Sequence, residues 1–177
     1  MADNPVSKVT DSKNSQELFE GYDAGDEVPI GAYATLVGVF SSIFALFLLL
    51  TRLTGRGLPE RIGLADLALL GTAAHKLSYI ISNASVTSFI RAPVTELQEV
   101  KSPTNLDEEP RGDGLQKALG NLLTCQFCLG MWVTAFFSYG LVLLPRTTRF
   151  IAGMFSILAI SDFTHQAYKR TTNKANE

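Results

Sequence analysis

The sequence is poor in the residues that carry most enzyme chemistry, with two cysteines, two histidines and one tryptophan in 177 residues. Charged residues make up 18% of the chain, compared with about 25% in average soluble domains. Two cysteines exclude a disulfide-rich scaffold, and a net charge of −2 gives no basic surface for nucleic acid. No phosphate-binding loop, dinucleotide fingerprint or HExxH zinc motif is present. We therefore expect no cofactor and no nucleic-acid partner.

Charge is distributed in blocks along the chain. Residues 1–28 contain seven acids and two lysines but few aliphatic side chains. A segment of this composition buries too little apolar surface to offset the entropy of ordering it, so we predict a disordered acidic tail. The rest of the chain, up to about residue 168, alternates long apolar stretches with short charged segments. This block pattern is typical of integral membrane proteins.

Apolar runs of roughly 20 residues can cross a hydrocarbon core of about 30 Å. The first run has no charged residue, whereas the second contains Asp66, His75 and Lys76 and ends before Pro93. The pattern predicts an all-α integral membrane protein with four transmembrane helices. The predicted spans within a domain at 29–168 are residues 30–51, 62–90, 127–144 and 150–165, with a polar loop at 91–114 and a basic C-terminal tail at 169–177.

A further helix is predicted immediately before the third span, at residues 115–124. Its leucines recur at helical spacing and form one apolar face, opposite Lys117 and Asn121. An amphipathic helix of this kind typically lies in the membrane interface. The leucines of the apolar face are Leu115, Leu119, Leu122 and Leu123.

Lysine and arginine counts near the span ends bear on orientation, because cytoplasmic loops are enriched in these residues. With four spans, the termini and the long loop share one side, which carries seven basic residues against five on the other. The seven are Arg91, Lys101, Arg111, Lys117, Lys169, Arg170 and Lys174, and the five are Arg52, Arg56, Arg61, Arg146 and Arg149. The total favours a multi-pass inner (plasma) membrane protein whose termini and long loop are cytoplasmic. The three arginines that follow the first span favour the opposite orientation.

A polar stripe follows one side of the second predicted span. Lys76 lies near its middle, where a charge costs about 2.5–3.5 kcal/mol on insertion scales. One hypothesis is a site for an anionic ligand or ion, with His75 handling a proton beside it. In the alternatives, Lys76 pairs with Asp66 or Asp162, or extends to the membrane surface. The candidate ligand residues are His75, Lys76, Tyr79 and Asn83.

Cys125 and Cys128 are three residues apart, where the predicted interfacial helix meets the third span. They could form a redox pair, because a thiol near a helix N-terminus is activated as a nucleophile. They could form half of a zinc site, with His75 and His165 as the remaining ligands. They could also be small apolar residues that pack beside Trp132. Membrane thiol oxidases that pass electrons to quinone use a second cysteine pair, which this chain lacks, so a redox role would need a partner.

Two stretches, AAHKLSYIISNASVTSFIRAPVTE and GLQKALGNLLTCQFCLGMWVTAFF, resemble a family of small bacterial membrane proteins known as domain of unknown function 1360. The resemblance covers about residues 65–168. Gln126 stands where the family often has proline after the first cysteine. The family has no established activity, so the resemblance implies an architecture and a set of positions but no mechanism. The matching positions are Lys76, Thr87, Ser88, Arg91, Ala92, Pro93, Cys125, Cys128, Gly130 and Trp132, of which Arg91, Pro93, Gly130 and Trp132 are expected at packing or interface positions.

The sequence thus favours a non-catalytic interaction or structural component of a bacterial envelope assembly. Its expected partners are the lipid bilayer and either other membrane proteins or further copies of itself. A membrane thiol-redox protein that uses Cys125 and Cys128 is the first alternative, and an anionic-ligand or ion site at Lys76 and His75 is the second.

Overall fold

A computed structural model describes residues 30–102 and 105–175. The predicted disordered tail at residues 1–28 lies outside the described residues. The elements, in chain order, are α1 (Ile30–Leu53), α2 (Leu64–Asn83), a short 3-10 helix (Ser85–Thr87), α3 (Ser88–Arg91), β1 (Thr95–Ser102), β2 (Asn105–Pro110), α4 (Gly114–Thr124), α5 (Gln126–Leu143) and α6 (Pro145–Ala175). α4 covers the region of the predicted interfacial helix. Its location at a membrane surface stays a prediction. The predicted basic tail continues α6 as far as Ala175.

The region predicted as a polar loop contains an antiparallel β-hairpin, so the prediction of an all-α protein is wrong. At the base of the hairpin, Thr95 of β1 pairs with Pro110 of β2. Glu108 of β2 forms an ion pair with the buried Arg91, and β2 packs against α4. These contacts join residues that are distant in the sequence. The acidic sequence of the hairpin therefore has no periodic pattern from which these contacts could be predicted.

The prediction of four membrane spans is also wrong, because only two of the described helices, α1 and α5, are long and apolar enough to cross a membrane. α2 carries Asp66 and Lys76, and the 31-residue α6 carries Arg149 and Asp162. Charged residues are the most costly ones to place within a span, and with the other polar residues of these helices they lower the mean hydropathy, so neither helix is a candidate. The length and apolar composition of α1 and α5 hint at membrane association.

Aromatic contacts align α1 with α5. Phe40 packs edge-on against Trp132 with ring centroids 5.2 Å apart, and Phe47 stacks on Tyr139 at 4.3 Å. Both residue numbers rise along the contact, so the two candidate spans are parallel. The end of α1 therefore lies at the same end of the bundle as the end of α5.

α2 lies between α5 and α6. His75, in the second half of α2, contacts Gln126 at the beginning of α5, so these two helices are antiparallel. α2 and α6 are parallel, because their contacting residues rise together in number. The α2–α6 contacts are Asp66 with Arg149, the Leu69 carbonyl with the Ser156 hydroxyl, and Lys76 with Asp162.

The bundle consequently has two chemically different ends. We call one the arginine end, defined by Arg52 in the last turn of α1, Arg56 and Arg61 in the connection to α2, and Arg146 and Arg149 at the start of α6. The other, the cysteine end, is defined by Cys125 and Cys128 at the start of α5, together with α4 and the hairpin.

Small residues allow α2, α5 and α6 to approach closely. Ala73 of α2 and Ala152 of α6 are completely buried, and Phe137 of α5 is only 1% exposed. Burying a side chain of this size contributes about 1.5–3 kcal/mol. α1 is different, because most of its apolar side chains are exposed, among them Val37, Ile43, Leu46, Leu49 and Leu53. Soluble monomers rarely expose a continuous apolar surface on this scale.

Candidate thiol–disulfide site

Cys125 forms the corner between α4 and α5. Its backbone N–H donates to the Asn121 carbonyl at 3.1 Å, which closes the last turn of α4. Its Sγ accepts the backbone N–H of Cys128 at 3.2 Å, which caps the first turn of α5. Cys125 has the extended backbone (φ −90°, ψ 102°) that an N-cap requires. The sulfur therefore lies at the positive end of the α5 dipole.

The two cysteines form a disulfide at this corner. Their Cα atoms are 5.3 Å apart, which falls within the 4.4–6.8 Å range of protein disulfides. Cys128 is exposed, whereas Cys125 is partly covered. A thiolate that approaches from solvent therefore meets Cys128 first, and the sulfur left behind is the one that caps the helix.

α2 places His75 beside Gln126, which lies between the two cysteines in the sequence. The Nδ1 of His75 lies 3.2 Å from the Nε2 of Gln126, the residue that follows the first cysteine. When the amide donates this hydrogen bond, Nδ1 is the acceptor, and the ring proton is on Nε2. Sequence reasoning grouped His75 with the cysteines only in the zinc hypothesis and assigned no role to Gln126. The sequence feature that could have indicated a role for Gln126 is its polar side chain, which lies between two cysteines at the start of an apolar helix.

Phe127, between the cysteines, is 90% exposed. The first turn of α5 places it at the surface, where it adjoins the disulfide. An exposed aromatic side chain is a common anchor for a partner protein. Sequence reasoning missed this residue because one phenylalanine in an apolar run carries no signal of its exposure.

Lys76 faces α6, where it forms an ion pair with Asp162. The side chain of Lys76 is 14% exposed, and its Nζ lies 5.5 Å from the centre of the Tyr79 ring. Asn83, one turn after Tyr79, donates to the Tyr79 carbonyl at 3.4 Å. The pair with Asp162 is one of the alternatives raised from the sequence. Because Asp162 offsets its charge, Lys76 attracts an incoming anion less strongly than an unpaired lysine would.

Arg91 occupies the junction between the end of α2 and the hairpin, where it is completely buried. Its Nη2 donates to Glu108 Oε1 at 3.2 Å, and its Nη1 donates to the Ile81 carbonyl at 2.6 Å. The nearby Pro93 carbonyl accepts from Gln116 of α4 at 3.0 Å. These residues hold the hairpin and α4 against the bundle, which fixes the corner that carries the cysteines.

Gly130 and Trp132 lie at helix contacts on α5. Gly130 faces α2, because a Cβ at this position would be in ordinary van der Waals contact with the Ser78 hydroxyl, at 3.8 Å. Trp132 packs edge-on against Phe40 of α1.

The structure does not bring together the four residues of the zinc hypothesis. Among residues 30–102 and 105–175, no three His, Cys, Asp or Glu side chains form a group that could hold a metal ion. The two sulfurs are bonded to each other, and His165 is exposed on α6.

Comparison with known proteins identifies one family. The family described as "Protein of unknown function (DUF1360)" matches residues 69–168. This match covers more than half of the chain, so the chain belongs to this family, as the resemblance implied. No curated protein and no solved structure matches the chain significantly.

Proposed function

We propose that this family member is a membrane-anchored thiol–disulfide exchange protein whose redox-active pair is Cys125 and Cys128. The observation that carries the proposal is the position of the pair at the first turn of α5, where Cys125 Sγ accepts the Cys128 N–H at 3.2 Å. A thiolate at a helix N-terminus is stabilised by the dipole and by this N–H, which favours its formation and its departure as a leaving group. The exposure of Cys128 supplies access for a partner.

The co-reactant is a partner protein that carries a pair of thiols. One partner thiolate attacks Cys128 Sγ, the Cys125–Cys128 bond breaks, and its electron pair goes to Cys125 Sγ, which takes up a proton. The second partner thiolate then attacks the partner sulfur of the mixed disulfide and expels Cys128 as a thiolate, which is protonated in turn. The two protons lost by the partner thiols balance the two gained by the cysteines. The partner is oxidised to a disulfide, and this chain is reduced to a dithiol.

Reoxidation reverses the same steps with a second partner that carries a disulfide. The chain has two cysteines, so it cannot pass electrons to an internal second pair. This need for a partner fits the exposed Phe127 beside the pair, which gives a docking protein an apolar contact. His75, held by Gln126, is close enough to the first turn of α5 to assist proton movement at its surface.

The proposed location is a plasma membrane in which α1 and α5 are embedded in the same direction, with the arginine end in the cytoplasm. α2 returns the chain between them inside the bundle, where its Asp66 and Lys76 pair with residues of α6. Within about 15 residues of α1 and α5, the described chain has five basic residues at the arginine end and two, Arg111 and Lys117, at the cysteine end. The disulfide then faces the oxidising side of the membrane, where disulfides persist. This orientation is the reverse of the one favoured by the total count over four spans.

Redox trapping in intact cells tests the exchange function. Acid quenching followed by a mass-shifting maleimide should show wild-type protein in both oxidised and reduced forms, with the ratio responding to added thiol. A Cys125→Ala variant should accumulate mixed disulfides that form when Cys128 attacks the disulfide of an oxidised partner, because the Cys125 thiol that would attack Cys128 Sγ and release the partner is gone. A Cys125→Ala/Cys128→Ala variant is the matched control and should accumulate none. Thiols that stay fully alkylatable under every condition would contradict the proposal and favour the non-catalytic alternative.

A second measurement tests the orientation. In cells, a membrane-impermeant maleimide applied after mild reduction should label Cys128 from outside. In a Cys125→Ala/Cys128→Ala background, Thr54→Cys at the arginine end should be labelled only after the membrane is permeabilised. Labelling of the Thr54 position in intact cells would reverse the assigned orientation.

A further inference from the structure

An apolar cleft opens near the arginine end of the bundle, away from the cysteine pair. It lies between α1, the connection to α2, the first turns of α2 and the second half of α5. Its volume is about 400 Å³, within the range of about 300–1,000 Å³ typical of small-molecule sites. Most of the lining is aliphatic or aromatic, including Phe44, Phe47, Leu67, Leu70 and Leu141. Because α1 and α5 are the two candidate spans, the cleft opens on the surface that would face lipid.

Two arginines adjoin residues that line this cleft. Arg56 donates to the Leu143 carbonyl, next to the lining residue Val142, and Arg61 directly precedes the lining residue Ile62. Arg149 is paired with Asp66 and is largely neutralised. In the part of the chain that the structure describes, Arg52, Arg56, Arg61 and Arg146 make no ion pair with a carboxylate. Glu60 is the one acid in the connecting segment between α1 and α2, so the four unpaired arginines give this end of the bundle a net positive charge.

An apolar cleft with arginines beside its lining residues matches the chemistry of a lipid that has a negative head group. We infer that the cleft binds one acyl chain of an anionic phospholipid, whose phosphate is held by Arg56 and Arg61. A guanidinium pairs with phosphate through two parallel hydrogen bonds, so arginine suits this position better than lysine would. The inference depends on membrane association and not on the exchange function of the cysteines.

Two variants test the two halves of the site. Gly71→Leu fills the cleft, because a Cβ at Gly71 meets nothing within 4 Å and the residue is part of the lining. Gly153→Leu is its matched control, since Gly153 is an equally open helical glycine that is not among the residues lining the cleft. Arg56→Gln/Arg61→Gln removes the charge of the two arginines that adjoin the lining. Lys169→Gln/Arg170→Gln removes the same charge from exposed positions far along α6.

The assay measures lipid retained by purified, delipidated protein in detergent, by native mass spectrometry. The probes are dioleoylphosphatidylglycerol, dioleoylphosphatidylcholine with the same chains, and glycerol 3-phosphate as the head group alone. We expect wild type to retain phosphatidylglycerol about tenfold more strongly than phosphatidylcholine, equivalent to about 1.4 kcal/mol. Glycerol 3-phosphate should not compete at equal concentration. Arg56→Gln/Arg61→Gln should lower phosphatidylglycerol retention to the phosphatidylcholine level, and Gly71→Leu should weaken both lipids about tenfold.

Both control variants should bind as wild type does, and so should Cys125→Ala/Cys128→Ala, which separates this site from the exchange function. Equal retention of the two lipids by wild type would overturn the inference, as would unchanged retention by Gly71→Leu. If Gly71→Leu fails to fold, Thr134→Leu fills the same cleft from α5 and is judged by the same criterion.

Discussion

Asp66 accepts two hydrogen bonds from Arg149, from Nε to Oδ1 and from Nη2 to Oδ2, and both are 2.8 Å long. This two-point contact ties the first turn of α2 to the first turn of α6. The hydrogen bonds from Arg149 are the largest influence on the Asp66 carboxyl and hold its pKa below the ordinary value of 3.8. Partial burial opposes this effect, and the positive charge of Arg149 adds to it.

The lowered pKa of Asp66 predicts a specific loss of stability in acid. A carboxyl whose pKa is lower in the folded protein contributes stability that is fully present above its unfolded value, near 3.8, and is lost as the pH falls through the folded value. Asp66→Asn should therefore lower the melting temperature slightly at pH 7, where the ionised pair is intact. The difference from wild type should shrink below pH 3.8. The effect is small because Arg149 is half exposed and the pair is screened by water and salt.

Glu60→Gln is the control for this measurement, because Glu60 is an exposed acid at the same end of the bundle and makes no ion pair within the described residues. Thermal unfolding in detergent between pH 3 and pH 7 distinguishes the two variants. A deficit in Asp66→Asn that stays constant across this range would contradict the assignment of the pKa shift to Arg149.

The buried pair of Arg91 and Glu108 should contribute much more to stability than the exposed pairs. Arg91 is 0% exposed and Glu108 7% in their side chains. Removing one member leaves the other as an uncompensated buried charge, which typically costs about 3–5 kcal/mol. Glu108→Gln and Arg91→Met should each destabilise the protein by about this amount. Arg91→Met/Glu108→Leu should be destabilised by less than the sum of the single variants.

Denaturant unfolding, with hydrogen exchange of the hairpin amides, checks this prediction. Lys101→Gln is the matched control in the same hairpin, because Lys101 and Asp107 form an ion pair with both side chains exposed. A Glu108→Gln variant as stable as Lys101→Gln would show that the buried pair does not hold the hairpin.

The same pair shows why the hairpin could not be predicted from the sequence. The position of Arg91 before Pro93 was recognised as notable, but the segment that follows contains several acids within a few residues of one another. Only the folded geometry selects Glu108, because the pairing depends on the register of β1 and β2 and on the packing of β2 against α4. Strand pairing of this kind is set by tertiary contacts more than by local propensity.

The helices were easier to predict than the hairpin. The number of spans was predicted wrongly for a related reason, because the partners of the charged residues in α2 and α6 are set by tertiary contacts. α1 is continuously apolar, so its length and position followed directly from composition. The charges of α2 and α6 were correctly located, but their partners were not identified, because Lys76 could pair with either of two acids. The structure assigns Asp162 to Lys76 and Asp66 to Arg149. The change in pattern also indicates the corner at Cys125, whereas the contact between Gln126 and His75 depends on the antiparallel packing of α2 and α5.

Gly120 should be intolerant of any side chain. A Cβ at this position of α4 would lie 2.6 Å from the Val94 carbonyl oxygen and 2.8 Å from Pro110 Cβ. Both contacts involve a rigid backbone or a ring, so the hairpin would have to move away from α4. We expect overpacking in Gly120→Ala to lower the free energy of unfolding by about 1–3 kcal/mol. The higher helix propensity of alanine offsets up to about 1 kcal/mol of this loss.

Gly38→Ala on α1 is the control, because a Cβ there meets nothing within 4 Å and only the propensity gain applies. Thermal unfolding of the two variants should give shifts of opposite sign. A stabilised Gly120→Ala protein would mean that the hairpin and α4 are not in close contact.

The two thiols of the reduced protein should differ in reactivity, because only Cys125 accepts a hydrogen bond at the α5 N-terminus. In a Cys128→Ala variant, the remaining Cys125 should be alkylated with a pH midpoint below about 8.5, the ordinary value for a cysteine thiol. In a Cys125→Ala variant, Cys128 lacks that cap, and its midpoint should lie closer to the ordinary value despite its greater exposure. At pH 7 and equal access, a midpoint lower by one unit gives about tenfold more thiolate. Both midpoints are measured from the rate of iodoacetamide labelling between pH 5 and pH 10, corrected with the rate for each unfolded variant. A higher midpoint for Cys125 than for Cys128 would reverse the roles proposed for the two sulfurs.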